Sequence, residues 1–213
     1  HYEVKYDGTD FYNDVMAANT DGVTTAIGSG QWVHVVAAGE FTADSQWVYI
    51  DGSLAASGTG ATGSNFAAAA FSLGTRTGTT DYFQGRLDEV RLYNTIKDSC
   101  WVQLCYQNQR AAQTLVHCGD RRWVSTENYS TWSYSRDYRI NTTVDGAGVG
   151  EDVYDFPVLV RLHAGNFDFS QLANTDVRDI RFGKSDGTPL SYEIERCDGG
   201  TPDSAEIWVK IDT

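Results

Sequence analysis

The sequence contains few of the residues that mark a membrane, nucleic-acid-binding or disulfide-rich protein. Of 213 residues only 16 are Lys or Arg, against 29 Asp or Glu, and the formal net charge is −13. Because an acidic chain without clustered basic residues binds polyanions poorly, we expect no nucleic-acid partner. No apolar run approaches the roughly 20 residues of a membrane-spanning helix, so we expect no membrane span. The 4 cysteines are too few for a disulfide-dense scaffold.

Motifs of catalysis are also missing. The 4 histidines are scattered without an HExxH pattern, and the sequence has no CxxC pair and no GxSxG elbow. It also lacks the tight ExDxxE-type carboxylate cluster that some glycosidases carry on a strand. Residues 58–63 formally match GxGxxG, but no strand–helix context surrounds them, and we interpret them as a Gly-rich connection. These residues therefore predict a protein that is not an enzyme, and the open alternative is a glycoside hydrolase whose catalytic carboxylates lie in flanking sequence outside these 213 residues.

Short strands separated by turn residues make up the first hundred residues. Residues 31–37 and 46–50 are rich in β-branched and aromatic residues. The Asp-Gly pair that follows predicts a hairpin with residues 53–56, because type I′ turns need positive φ at both central positions. Residues 71–74 are predicted as a further short strand, and residues 82–93 (YFQGRLDEVRLY) form the longest alternating run. Strands at this spacing are typical of a sandwich or jelly roll.

One helix interrupts the strand pattern. Asp98 or Ser99 is suited to cap its N-terminus, and Trp101, Leu104 and Cys105 recur at helical spacing. Strand patterns resume after residue 131, at residues 134–141, 156–162, 177–182, 190–195 and 206–211. The sequence thus predicts an all-β fold of two β-sandwich or jelly-roll units, 1–110 and 132–213, with one short helix and an irregular connector at 111–131.

The first predicted unit resembles a known family. Its sequence contains, in order, WVHV (32–35), VYIDG (48–52), FSLG (71–74), FQGRLDEVRLYN (83–94) and YQNQ (106–109). These motifs resemble the C-terminal half of a LamG-like jelly roll of the concanavalin A-like lectin/glucanase type. The resemblance implies a domain at the cell surface or outside the cell.

The second predicted unit resembles a prokaryotic surface-protein domain of unknown function that often neighbours LamG-like domains. The resemblance covers the N-terminal part of that domain and rests on WSY (132–134), DFPVLV (155–160), DIRF (179–182), YEIE (192–195) and IWVK (207–210). Both units thus look incomplete, at opposite ends of the chain. Either the chain is a window from a longer polypeptide, or neighbouring copies supply the missing strands in trans.

Asp88 is the candidate metal ligand. It alternates in phase with Val90 and Leu92, so we expect it on the core side, where a buried carboxylate needs a partner. Related jelly rolls often carry calcium, and the resemblance implies Ca²⁺ at Asp88 as the only candidate cofactor. The favoured alternative is that Asp88 lies at a strand end and accepts backbone N–H bonds.

Three further sets of residues are candidates for binding or modification. Residue type alone selects glycan-stacking candidates, which are Trp47, Tyr49, Tyr82, Trp123 and Trp132. Two N-glycosylation sequons begin at Asn128 and Asn141. The disulfide candidates are Cys100, Cys105, Cys118 and Cys197, and a pair between Cys118 and one of the two helical cysteines is favoured.

These observations predict a non-catalytic structural or adhesive protein, extracellular or on the cell surface. We expect it to form a filament or fibre by strand complementation, with other copies of itself or adjacent domains of a longer chain as partners. The alternative is a carbohydrate-binding, lectin-like module of a larger secreted enzyme or adhesin, with glycans as partners.

Overall fold

The computed structural model has two compact units, His1–Val102 and Gln103–Thr213. In the residues that the structure describes, most of the regular structure is antiparallel β-sheet, with one α-helix, which confirms the all-β prediction. No helix in the described part of the chain is long and apolar enough to cross a bilayer. The structure describes residues 2–6, 10–15, 23–26, 30–40, 42–59, 73–75, 82–122, 129, 132–174, 176–198 and 203–211.

The first unit contains two three-stranded antiparallel sheets. In both sheets the strands follow one another in chain order, and β2 and β3 of the first sheet lie against β5 and β6 of the second. The first sheet consists of β1 (Tyr2–Tyr6), β2 (Asp10–Val15) and β3 (Val23–Ala26). The second consists of β4 (Val35–Glu40), β5 (Ser45–Ile50) and β6 (Ser53–Gly58).

The predicted Asp-Gly hairpin joins β5 to β6. Asp51 and Gly52 have φ of 50° and 80°, the positive values that a type I′ turn needs at both positions. Ile50 pairs with Ser53 directly across the turn, which confirms the predicted hairpin. The strand predicted at residues 31–37 instead begins at Val35.

An uncharged polar side chain lies in the interior of the first unit. Gln46 and Val48 of β5 are both 0 % exposed. The residues directly opposite Gln46 on the two neighbouring strands are Gly39 and Gly58, which carry no side chain. Neither the Gln46 amide nitrogen nor its oxygen has a hydrogen-bond partner. The centre of this sheet thus holds an unsatisfied amide, an uncommon and costly feature.

The helix α1 (Ser99–Gln109) begins where the sequence predicts it. Asp98 Oδ1 accepts a hydrogen bond from Trp101 N at 2.7 Å, so Asp98 caps the helix and satisfies one of its free N–H groups. The predicted apolar positions Trp101, Leu104 and Cys105 are all buried.

The second unit contains a three-stranded sheet of order β10-β11-β9 and a two-stranded sheet of β7 and β8. Val158, Leu159 and Val160 are buried in succession, which is typical of a strand covered on both faces. The strands are β7 (Val116–Arg122), β8 (Ser135–Ile140), β9 (Phe156–His163), β10 (Tyr192–Cys197) and β11 (Ser204–Ile211).

The connector predicted as irregular at residues 111–131 contains a strand. Residues 116–122 form β7, which pairs antiparallel with β8. The sequence of β7, VHCGDRR, has no apolar alternation. Its strand conformation therefore depends on hydrogen bonds to β8 rather than on a buried apolar face. The prediction of an irregular connector is therefore wrong for these residues.

The outer side of β9 is bound by the end of α1. The side chain of Asn108, 1 % exposed, accepts a hydrogen bond from Leu159 N at 3.1 Å and donates one to Pro157 O at 3.3 Å. The Arg161 guanidinium donates to the Asn108 and Gln109 carbonyl oxygens at 3.1 and 2.9 Å. Asn108 thus replaces a neighbouring strand, while Arg161 satisfies the terminal carbonyls of the helix.

The strand predicted at residues 177–182 is a turn. Val177 is fully buried but has φ of 52°, which no strand residue adopts. The Asp179 carboxylate accepts backbone hydrogen bonds from Ala173 and Asn174 at 2.6 and 3.1 Å. Aspartate competes in this way with sheet hydrogen bonds, and here it closes a loop. The alternating pattern thus wrongly predicts a strand where the chain forms a turn.

Candidate functional site

A row of exposed apolar side chains lies on residues 82–98 of the first unit. Leu87, Val90 and Leu92 are 49, 48 and 71 % exposed. The row begins at an isolated bridge between Thr75 and Tyr82 and ends at the start of α1. Large apolar side chains exposed together mark interaction surfaces more often than single ones do.

The predicted strand at residues 82–93 does not form within the described part of the chain. Only its first residue, Tyr82, makes a bridge, and residues 83–98 have no regular structure. Glu89 has φ of 52°, in the left-handed region. A strand forms when a neighbour accepts and donates its backbone hydrogen bonds, and no described strand lies in register with this run. The alternating pattern marks apolar residues correctly, but it does not supply the neighbouring strand that a β-ladder needs.

The C-terminal end of this segment is fixed by aromatic packing. The rings of Tyr93 and Trp101 lie edge to face with centroids 5.1 Å apart. The Lys97 ammonium lies 5.1 Å from the Tyr93 ring centroid and 5.3 Å from that of Trp101. These contacts attach the C-terminal end of the segment to α1, and the bridge between Thr75 and Tyr82 holds its N-terminal end. The exposed residues 87–92 therefore lie between two fixed points.

Charged residues alternate with the apolar row. Arg91 Nη2 lies 2.5 Å from Glu89 Oε2, and both side chains are roughly one-quarter exposed. Asp88, predicted on the core side as a calcium ligand, is instead exposed, because the segment does not enter a sheet. Its Oδ1 accepts a hydrogen bond from Glu89 N at 3.0 Å. The favoured alternative also expected a backbone N–H donor, but it placed Asp88 at a strand end, and the described residues around it form no strand. Among the described residues no group of three or more potential ligands could hold a metal ion.

His34 connects the start of β4 to the Asp-Gly turn. Its backbone N donates to Asp51 Oδ1 at 3.0 Å, and Asp51 N donates to the His34 carbonyl oxygen at 2.9 Å. Burial lowers the pKa of the His34 imidazole, Asp51 raises it in part, and Arg91 lowers it further. The folded unit therefore favours the neutral imidazole.

The stability of the first unit is expected to fall as pH decreases below about 6.5. With a pKa lowered by folding, His34 binds protons more readily in the unfolded chain, so its contribution is complete above that pH and is lost toward the folded pKa. Hydrogen exchange of β4 and β5 peptides at pH 7.5, 6.5 and 5.5 measures this slope. His34→Gln should flatten it, and His163→Gln, at an exposed position of the second unit, should not. An unchanged slope in His34→Gln would contradict the assignment.

The five glycan-stacking candidates lie in different surroundings. Tyr49 is buried at 8 % exposure and Trp47 is half-buried, whereas Tyr82 is 63 % exposed. The Arg181 guanidinium lies 5.5 Å from the ring centroid of Trp132, so that ring face already has a partner. Trp123 lies outside the described residues. Of the candidates that are described, Tyr82 offers the largest accessible ring.

The four cysteines carry free thiols in this structure. The favoured disulfide between Cys118 and Cys100 or Cys105 is not formed. Cys118 Sγ instead lies 3.5 Å from Asn166 O and 3.2 Å from Arg136 Nη1, because β7 pairs with β8 and turns the thiol toward these groups.

Of the two sequons, the one at Asn141 is described, and Asn128 lies outside the described residues. Asn141 is half-buried at the end of β8, and its Oδ1 accepts hydrogen bonds from Thr143 Oγ1 at 2.6 Å and Thr143 N at 3.1 Å. The sequon thus forms a local turn, and its use as a glycosylation site stays a prediction.

Comparison with known proteins agrees with the class that the first unit suggests. Residues 1–103 match a laminin-G-type family described as the concanavalin A-like lectin/glucanases superfamily. This match supports the LamG-like part of the resemblance. No curated protein and no solved structure matches the chain. The resemblance of the second unit to a surface-protein domain stays a prediction.

The sequence analysis selected Asp88 as a candidate but did not select the charged and polar residues around the exposed apolar row of residues 82–98. The Glu89–Arg91 pair and the contact of His34 with the Asp-Gly turn both depend on conformations that the alternating pattern does not encode. The alternation of charge with apolar residues in RLDEVRL was the available signal.

Proposed function

We propose that this chain is a non-catalytic structural and adhesive module of the cell surface or extracellular space, which assembles through β-strand pairing between copies at residues 82–93. The observation that carries the proposal is that Val90 and Leu92 are exposed and would share one face of a strand, with Leu87 exposed on the opposite face. The concanavalin A-like match of residues 1–103 supports an adhesive or carbohydrate-binding class.

Pairing with an added strand would give residues 83–92 a place in a sheet and cover apolar side chains of this run. These residues belong to no described sheet, and a sheet can form where two such runs pair. Burying apolar surface contributes about 25 cal/mol per Å². The left-handed φ of Glu89, 52°, would also relax to an extended value, which relieves roughly 1–2 kcal/mol of backbone strain.

The charge pattern favours a second copy as the partner. In an antiparallel pair centred on Val90, that residue lies opposite its symmetry mate, Glu89 lies opposite Arg91, and Leu87 lies opposite Tyr93. The twofold axis generates each unlike pair twice, as in an isologous interface. The two intrachain pairs of Glu89 and Arg91, one in each copy at 2.5 Å, would be exchanged for two pairs between copies, so neither charge loses its partner.

Charge reversal within this pair is expected to control association. Either Glu89→Arg or Arg91→Glu places like charges opposite each other twice and should weaken association about tenfold. The double variant Glu89→Arg/Arg91→Glu restores opposite charges and should restore association. Sedimentation equilibrium of the full chain over a wide concentration range measures the effect, and negative-stain microscopy tests for filaments.

The matched control is Glu40→Arg, which changes the net charge equally at an exposed position of β4, outside the segment. It should leave association unchanged. A wild-type chain that stays monomeric at all concentrations would refute self-assembly. A double variant that associates no better than the single ones would refute this register.

Glycan binding by the first unit is the second candidate function. It is favoured by Tyr82, which is 63 % exposed at the start of the same segment. A tyrosine ring at this exposure can pack against the apolar face of a sugar while its hydroxyl stays in water.

A further inference from the structure

A cleft of about 350 Å³ lies in the second unit, at the C-terminal end of β9. It falls at the lower end of the size range of small-molecule sites. The turn of residues 164–169 forms one wall, and Arg136 of β8 and Asp203, just before β11, form the others. All residues that line the cleft belong to the second unit, whereas residues 82–93 belong to the first.

The wall formed by the turn is held by its own hydrogen bonds. Asn166 Oδ1 accepts from His163 N at 2.8 Å, and Asn166 Nδ2 donates to Arg161 O at 2.9 Å. The rings of Phe167 and Phe169 lie edge to face with centroids 5.0 Å apart. The aromatic part of the cleft is therefore formed before any ligand arrives, which lowers the ordering cost of binding.

Arg136 reaches the cleft beside an irregularity of the β7–β8 pair. The register shifts between Cys118 and Arg121, and such bulges often re-aim side chains at sites. Gly119 permits β7 and β8 to approach closely at this point, since a Cβ at residue 119 would lie 3.0 Å from Asp137 O. One guanidinium nitrogen of Arg136 is held by Cys118 Sγ at 3.2 Å.

The charges around the cleft select the chemistry of the ligand. The lining contains one guanidinium, that of Arg136, and two carboxylates, those of Asp168 and Asp203. Asp168 Oδ1 already accepts hydrogen bonds from Ser170 N and Oγ, which leaves Asp203 as the principal acceptor. Two carboxylates disfavour an anion and the guanidinium disfavours a cation, so a neutral ligand with both donors and acceptors fits best. Sugar hydroxyls both donate and accept, and the apolar face of a pyranose ring suits the negative face of a phenyl ring.

We propose that this cleft binds a neutral pyranose, with Arg136 and Asp203 bonding its hydroxyls and Phe167 packing against its ring. The site belongs to the second unit and does not require assembly through residues 82–93.

The test uses the full chain on an array of glycans ending in glucose, galactose, mannose or N-acetylglucosamine, with uronic-acid glycans for comparison. Calorimetry with the best neutral glycan then compares wild type with Arg136→Met and Asp203→Asn, each of which should weaken binding at least tenfold. Arg139→Met, at an exposed position of the same strand β8 and outside the cleft, should bind like wild type. Unchanged hydrogen exchange in β9 and β11 confirms that a variant is folded.

Asp203 is exposed, so Asp203→Asn should fold even if Arg136→Met does not. The Asp203→Asn variant alone can then test the site. The site is refuted if no neutral glycan binds, if uronic-acid glycans bind more tightly, or if binding is unchanged in the folded variants. Neutral-glycan binding that survives these substitutions but is lost in Tyr82→Ala assigns the binding to the first unit instead.

Discussion

Replacing Asn108 with alanine is expected to lower the free energy of unfolding of the second unit by about 2–3 kcal/mol. The Asn108 side chain is 1 % exposed and bonds to Leu159 N and Pro157 O on the outer side of β9. Alanine removes both bonds and leaves the buried Leu159 N–H without a partner, which costs its full desolvation. Faster hydrogen exchange of β9 and β11 peptides in the full chain would measure this loss of stability.

The control is Gln109→Ala, one residue further along α1. The backbone carbonyl of Gln109 accepts from Arg161, and this bond does not need the Gln109 side chain. We therefore expect a change within about 0.5 kcal/mol. Equal losses in both variants would mean that Asn108 acts through helix propensity rather than through its bonds to β9.

Replacing Gln46 with methionine is expected to stabilise the first unit by about 1–3 kcal/mol. Gln46 is 0 % exposed, and neither polar atom of its amide has a hydrogen-bond partner. Methionine has nearly the same length and shape without the polar atoms, so it keeps the packing and removes the desolvation penalty. The rise should appear as slower hydrogen exchange in β5 and a higher midpoint of urea unfolding.

The control for this prediction is Gln31→Met, at an exposed position of the same unit, which should change stability by no more than about 0.5 kcal/mol. Gln46→Glu should act in the opposite direction, because it buries a charge in place of an amide. A destabilised Gln46→Met variant would show that the amide is satisfied and that glutamine is required in this strand.

The elements predicted correctly are those whose signal is local. The Asp-Gly turn at residues 51–52 needs only positive φ at two positions, and the start of α1 needs only the carboxylate of Asp98. The strands β9 and β11 lie where apolar and β-branched residues are concentrated. Each of these signals is contained in a few adjacent residues.

The elements predicted wrongly depend on a distant partner. Residues 82–93 and 177–182 both alternate, yet neither forms a strand, because alternation gives a strand only where a neighbouring strand is available. Conversely, Val116–Arg122 has no alternation and forms β7 because β8 lies beside it. The prediction that Asp88 lies on the core side was wrong for the same reason, since it assumed a sheet around that residue.

The sequence alone determined the all-β class and the composition of the apolar row, because turn chemistry and residue type are local properties. Only the tertiary structure decided that Leu87, Val90 and Leu92 are exposed, that Asn108 binds β9, and that Arg136 faces the turn of residues 164–169. Backbone hydrogen bonds and burial join residues far apart in the chain, so these contacts follow from the arrangement of strands and not from any single segment.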